Sequence, residues 1–242
     1  MTELLYLHDS YLKEFSAKIT GINGETVSLD KTAFFPAGGG QPSDTGKIFF
    51  SEKEFSVISV KKENEEVWHT LNSVQGLAAG SKITAKIDFR QRYNLMRMHT
   101  SAHVLAAVIF GETGKLITGN QIGWPKSRMD FDAPQSFDSS AALQIEKKVN
   151  QAISKNNEVS VFFLPRETAL KKPELVRLKG IMPPSLKEWR VVQIGSVDLQ
   201  ADGGTHVKNT KEIGQVKIAK TENKGAQNKR IYWELTSGVV DI

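Results

Sequence analysis

Residues Lys82 to Phe110 read KITAKIDFRQRYNLMRMHTSAHVLAAVIF, and the fold turns on the change of character inside this stretch. Lys82 to Phe89 has the length and composition of a short strand. From Arg92 the chain is long, free of Gly and Pro, and closed by Gly111, which predicts a helix over Arg92 to Phe110. Upstream, Glu25 to Leu29, Gly46 to Phe50, Phe55 to Val60 and Val67 to Leu71 also read as short strands, bounded by Gly, Asn, Asp or Ser. Several short strands with frequent turns point to a small β-barrel. Downstream, a second helix is expected from Ser139 to Lys155, with Ala142, Ile145, Val149 and Ile153 on one face and Asp138 as its N-cap. Further strands are expected at Ser127 to Phe131, Val159 to Leu164, Arg190 to Ile194, Gln215 to Ala219 and Arg230 to Leu235. This mixed order gives an α+β fold, with a barrel in residues 1–90 and a sandwich in 91–242. No Pro/Gly/Ser-rich linker marks the boundary.

The 242 residues are enough to bury a core without covalent staples. The absence of cysteine excludes disulfides, a thiolate metal site and a cysteine nucleophile. A cytoplasmic location is the simplest expectation. The start, Met1 to Phe15, carries acids and no long apolar stretch, unlike a signal peptide. The longest apolar run, Val104 to Phe110, is far short of the roughly 18 residues of a membrane span. A net charge of +5 fits a nucleic-acid partner without requiring one.

Five histidines are present: His8, His69, His99, His103 and His206. His99 and His103 stand four apart in the predicted helix, so both imidazoles share a face one turn apart. Such a pair can chelate one zinc ion, or it can satisfy polar contacts at a domain seam. Asp202 and His206 stand four apart across Gly203-Gly204, whose backbone freedom lets both side chains face one point. Three imidazole nitrogens and one carboxylate oxygen suit zinc. A plain turn with His206 at a strand end is the competing reading.

Four stretches then carry a family resemblance: Phe35 to Gly46 (FPAGGGQPSDTG), Arg97 to His103 (RMHTSAH), Arg128 to Phe131 (RMDF) and Asp198 to Glu212 around Gly203-Gly204-Thr205-His206-Val207. They span most of the chain. The sequence resembles the AlaX proteins, stand-alone relatives of the editing domain of alanyl- and threonyl-tRNA synthetases, in their medium-length form. The resemblance implies an N-terminal β-barrel followed by a two-layer α/β sandwich editing domain. It also implies a metal-dependent trans-editing hydrolase that deacylates mischarged tRNA(Ala), chiefly Ser-tRNA(Ala) with glycine as a second target. One Zn2+ per chain is expected on His99, His103, Asp202 and His206, in a monomer. The family usually carries cysteine where this chain has Asp202. Three readings follow: Asp202 ligates through oxygen, the histidines hold the metal alone, or the metal is lost, leaving a non-catalytic tRNA-binding relative.

Gln41 resembles a family residue near the editing site. Two roles fit it: bonding the water or terminal adenosine, or tying its loop to the second domain. Gly38, Gly39 and Gly40 suit either close approach to tRNA phosphate or a plain turn. They lack the Gly-Lys-Ser/Thr ending of a nucleotide-binding loop, so no nucleotide cofactor is expected. Selecting serine requires a group that bonds its hydroxyl, and Thr118 and Thr100 are the candidates. Lys208 to Arg230 holds seven basic residues and two acidic ones, with Lys208, Lys217 and Lys220 as expected tRNA contacts. A solvated hairpin turning at Asn223-Lys224-Gly225 is the plainer reading. A metallohydrolase acting on a small ester is a third possibility for the whole chain.

Overall fold

The computed structural model describes residues 1–133, 137–176 and 186–236. Its first eight strands are β1 (Glu3–Leu4), β2 (Glu14–Asn23), β3 (Thr26–Leu29), β4 (Lys31–Thr32), β5 (Gly46–Phe50), β6 (Lys53–Glu63), β7 (Glu66–Leu71) and β8 (Lys82–Ile87). Six of them close into a barrel in the order β2-β3-β7-β6-β5-β8, and β1 pairs with β4 in parallel outside it. Alternation fills the interior. Phe15, Ala17 and Ile19 point inward from β2, and Ile83, Ala85 and Ile87 from β8, to meet Phe34, Ile48, Val60 and Leu71. Strand β2 was not expected from the sequence, and β8 ends two residues before Phe89 because Asp88 starts the next helix.

Helix α1 (Phe89–Thr113) begins three residues before the expected Arg92. The Asp88 carboxylate accepts the Gln91 amide at 3.1 Å and so caps its first turn. The helix runs through Gly111 and stops at Gly114, whose φ of 66° is left-handed and whose amide reaches back to the Phe110 carbonyl at 2.7 Å. Contacts divide the chain into two units between Tyr93 and Asn94, inside α1.

Arg92, at the start of α1, is fully buried in the first unit. Its guanidinium holds the buried Asp44 carboxylate through Nε at 2.9 and 3.0 Å and through a short Nη2 contact, and it donates to the carbonyls of Ser10 and Ala33. One side chain thus ties the helix to three barrel segments.

The second unit adds β9 (Ile117–Gln121), β10 (Lys126–Asp132), α2 (Ser139–Ser154), β11 (Val159–Pro165), α3 (Arg166–Ala169), β12 (Glu188–Ile194), β13 (Asp198–Ala201), β14 (Val216–Asn223) and β15 (Asn228–Leu235). They form two antiparallel sheets, β14-β15-β10-β9 and β11-β12-β13. Trp233 of β15 is buried and donates from its indole to Ser101 Oγ at 2.8 Å, which fixes the larger sheet to α1. Helix α2 is capped by Asp138, which accepts the Ala141 amide at 2.8 Å, and it buries Ile145, Val149 and Ile153, with Ala142 only half-buried. Its Asn150 side chain exchanges two hydrogen bonds with the Val216 backbone, and Glu146 accepts the Ile218 amide, so the helix closes the free edge of β14. Strands β9 and β13 add to those expected from the sequence. The barrel followed by a helix-and-sheet sandwich is the expected α+β fold. No helix among the described residues is long and apolar enough to cross a membrane.

Replacing Asp44 by Ala strands a buried guanidinium, and the expected loss of stability is about 3–5 kcal/mol, read as the shift in a urea unfolding curve.

Candidate metal centre

Helix α1 presents His99 and His103 on one face, and the segment after β13 brings Asp202 and His206 to them. The four donor atoms lie within 4.8 Å of one another, and all three imidazoles are buried. The ring centroids are 4.6 Å apart for His99 and His206, 4.8 Å for His103 and His206, and 5.3 Å for His99 and His103.

The loop can come this close because of Gly204. A Cβ there would lie 2.1 Å from Cε1 and 2.4 Å from Nδ1 of His99, so the ring occupies the space a side chain would need. The same glycine donates its amide to Asp202 Oδ2 at 2.6 Å and holds the carboxylate toward the histidines.

Each of two imidazoles is fixed by a partner on its far side. His103 Nδ1 lies 2.8 Å from Oδ2 of the buried Asp198, which also accepts the Gln200 amide at 2.7 Å. A carboxylate oxygen only accepts, so His103 Nδ1 carries the proton and Nε2 offers its lone pair. Thr100 Oγ1 donates to the Met96 carbonyl at 2.9 Å and accepts the Val207 amide at 3.2 Å, so it can only accept at its 3.1 Å contact with His206 Nδ1. His206 Nε2 is then left bare, 2.9 Å from Asp202 Oδ2.

Burial, then the His99 charge, holds His206 well below its ordinary pKa, and burial pushes His99 down to about 4 against the pull of Asp202. Both of these rings are therefore neutral at pH 7. Burial works to raise the Asp202 carboxyl, but the facing imidazoles, His99 foremost, hold it well below the carboxylate range. A neutral imidazole lone pair and a carboxylate oxygen facing each other at this distance repel, and a bound cation relieves that repulsion. Three imidazoles and one carboxylate match the donor set of a divalent transition metal. Arg190 Nη1 donates to the Asp202 carbonyl at 2.8 Å and lies 4.0 Å from its carboxylate, which steadies the loop from behind.

Comparison with known proteins places this geometry. Residues 3–91 match the family model for class II (A) tRNA synthetases, and residues 189–232 match that for the threonyl and alanyl tRNA synthetase second additional domain. The alanyl-tRNA editing protein AlaX-M of Saccharolobus solfataricus is 43% identical over 235 residues, covering 96% of this chain and 98% of that protein. Its counterpart in Methanosarcina acetivorans is 43% identical over 244 residues. The chain belongs to the AlaX-M family. The alanine–tRNA ligase of Ignicoccus hospitalis is also similar, 35% identical over 222 residues, with 91% of this chain matching 24% of that enzyme. AlaX-M membership and the donor cluster together support an editing hydrolase role.

The other candidate residues of this AlaX-M chain differ in their surroundings. Gln41 is buried in the barrel unit. It closes a two-residue turn in which Gly38 and Gln41 exchange backbone bonds at 3.0 and 2.9 Å, with Gly39 and Gly40 at φ 59° and 87°. Left-handed φ at both tip positions is the reason for those glycines, and all three glycines are exposed. Thr118 is exposed on β9, its hydroxyl donating to Asn228 Oδ1 at 3.3 Å, and it is not among the cluster residues. Thr100 is at the cluster, but its hydroxyl is spent on the backbone and His206, so it does not select a substrate hydroxyl.

Lys208, Lys217 and Lys220 are exposed, and Lys220 pairs with Glu222. The expected hairpin forms between β14 and β15, but two of the seven basic residues of Lys208 to Arg230 are not surface charge for a partner. Lys229 is buried and donates to Asn223 Oδ1 and the Gly225 carbonyl inside the turn, and Arg230 is held by Asp130 at 2.5 and 2.8 Å. Asp198, Gln200 and Arg190 went unnoticed in the sequence as parts of the centre.

Asp198→Asn is expected to weaken metal affinity by about 10–100-fold, measured by competition titration with a chromogenic chelator. Metal affinity should also stay nearly flat from pH 8 to pH 6. Protons compete only once the rings accept them, and His99 does so near pH 4, so binding falls late in an acid titration, whereas solvated histidines would lose metal from about pH 6.5.

Proposed function

We propose that this chain is a trans-editing hydrolase that cleaves the ester of mischarged tRNA(Ala), chiefly Ser-tRNA(Ala) and secondarily Gly-tRNA(Ala), with one Zn2+ held by His99, His103, Asp202 and His206. The observation that carries the reading is the cluster itself: four donors within 4.8 Å, two of them oriented by outer partners so that a lone pair faces inward. A bound zinc supplies Lewis-acid polarisation of an ester carbonyl and a lowered pKa for water. An aminoacyl ester is already activated, so the demand on the site is modest.

The protein's own residues supply order. Asp198 and Thr100 fix the tautomers of His103 and His206 before anything binds. Gly204 and Arg190 fix the Asp202 carboxylate and its loop. Burial keeps His99 and His206 neutral, and burial of all three rings limits competing water.

The same proposal assigns Gln41 to the attacking water or the terminal adenosine. Gly38 to Gly40, Lys208, Lys217 and Lys220 are its contacts to tRNA, a role their exposure permits. Thr118, exposed and bonded to Asn228, fits a contact along the tRNA better than selection of a buried hydroxyl. The chain works as a cytoplasmic monomer without a nucleotide cofactor.

The deciding experiment follows serine release from Ser-tRNA(Ala) before chelation, after chelation and after zinc add-back. Release is expected to stop and return, and His99→Ala is expected to abolish it while tRNA binding persists. No release in any condition with binding intact would make the chain a binding-only relative, and Asp202→Cys would then test whether the carboxylate is the lesion.

A further inference from the structure

We infer that the outer face of β2 and β8 is a docking surface for the phosphodiester backbone of a nucleic acid, centred on Lys18 and Lys82. These two lysines stand directly opposite each other across the antiparallel pair, and both are exposed. Like charges at directly opposed positions destabilise a sheet. The same barrel shows how such a clash is relieved elsewhere. Lys86 of β8 faces Lys47 of β5, yet Lys86 is matched by Glu14 at 2.8 Å and Lys47 by Glu54 at 2.6 Å. Among the described residues no carboxylate comes within ion-pair distance of Lys18 or Lys82.

Around the pair lies an open groove of about 410 Å³, lined also by Ser16, Thr84, Lys31 and Asp30. Ser16 and Thr84 oppose each other on the next outward-facing rung and offer two exposed hydroxyls. The acids nearby do not cancel the lysines. Asp30 Oδ1 already accepts the backbone amides of Lys18 and Lys31 at 2.7 and 2.9 Å, and Glu3 sits opposite Lys31 without reaching Lys18 or Lys82. Ammonium groups and hydroxyls, with no aromatic ring in the groove, suit phosphate oxygens and not base faces. The surface therefore adds sequence-independent affinity from the barrel unit itself.

The inference rests on the reading that the chain acts on tRNA, and the test separates the two. Binding of uncharged tRNA(Ala) transcript is measured from 50 to 300 mM salt for the wild type, for Lys18→Gln with Lys82→Gln, and for Lys47→Gln with Lys86→Gln as a charge-matched control. Loss of two phosphate contacts should lower the slope of log affinity against log salt by about 2 and weaken binding several-fold at moderate salt, with a smaller change in the control. Lys82→Glu should raise the melting temperature, because it turns the repulsive rung into an attractive one, while it weakens RNA binding further. A wild-type slope in the Lys18/Lys82 variant, or an equal loss in the control, would overturn the docking surface. Serine release by the wild type, measured alongside, reports on the editing reading by itself: release with an unchanged slope sinks only the docking surface, and neither release nor binding sinks both.

Discussion

The centre depends on one close approach, the His99 ring lying against the bare backbone of Gly204. With any side chain at that position the ring and the loop could not share the space, and Asp202 and His206 would sit farther from α1. The other features of the cluster presuppose that approach. The Gly204 amide holds the Asp202 carboxylate, Thr100 on α1 reaches His206, and the Val207 amide returns to Thr100, so the helix and the loop are stitched together on both sides of the four donors. Binding geometry is thereby set before a ligand arrives, which is the general requirement for a preorganised site.

Electrostatics make this arrangement unstable on its own terms. Burial withholds protons from His99 and His206, while Asp202 stays ionised. One negative charge then faces inward-pointing lone pairs, with Arg190 as the nearby counter-charge. The first unit solves a comparable problem differently. There the Asp44 carboxylate and the Arg92 guanidinium neutralise each other completely out of water, and His69 is kept neutral by burial with Thr32 and Val27 as partners. A satisfied buried network is structural, whereas a buried carboxylate facing inward-pointing lone pairs is suited to a cation.

The sequence showed whatever was local. The Asp138 cap and the spacing of Ile145, Val149 and Ile153 define α2, and the i, i+4 spacing of His99 and His103 puts both on one helix face. The Gly203-Gly204 pair flagged the loop. Missed features have non-local causes. Strand β2 alternates correctly, but its inward set includes small Ala17 and its end carries Gly21, so its apolar signal is diluted until the barrel closes around it. Asp198 lies 95 residues from His103, and nothing near it in sequence announces a histidine partner. Lys229 reads as surface charge because the turn that swallows its ammonium exists only after β14 and β15 pair. Asp88 is legible as a cap in principle, ahead of Gln91, but the strand pattern from Lys82 runs straight into it and masks the helix start.

The four donors contain nitrogen and oxygen but no sulfur, and the chain has no cysteine anywhere. Thiolate ligands tie a metal site to the redox state of its compartment, since oxidation to a sulfenic acid or a disulfide ejects the ion. A carboxylate in that place removes the first rung of that ladder. A metal held by these residues would answer to metal supply and acidity, and peroxide stress that would empty a cysteine-ligated counterpart would leave its donors chemically untouched.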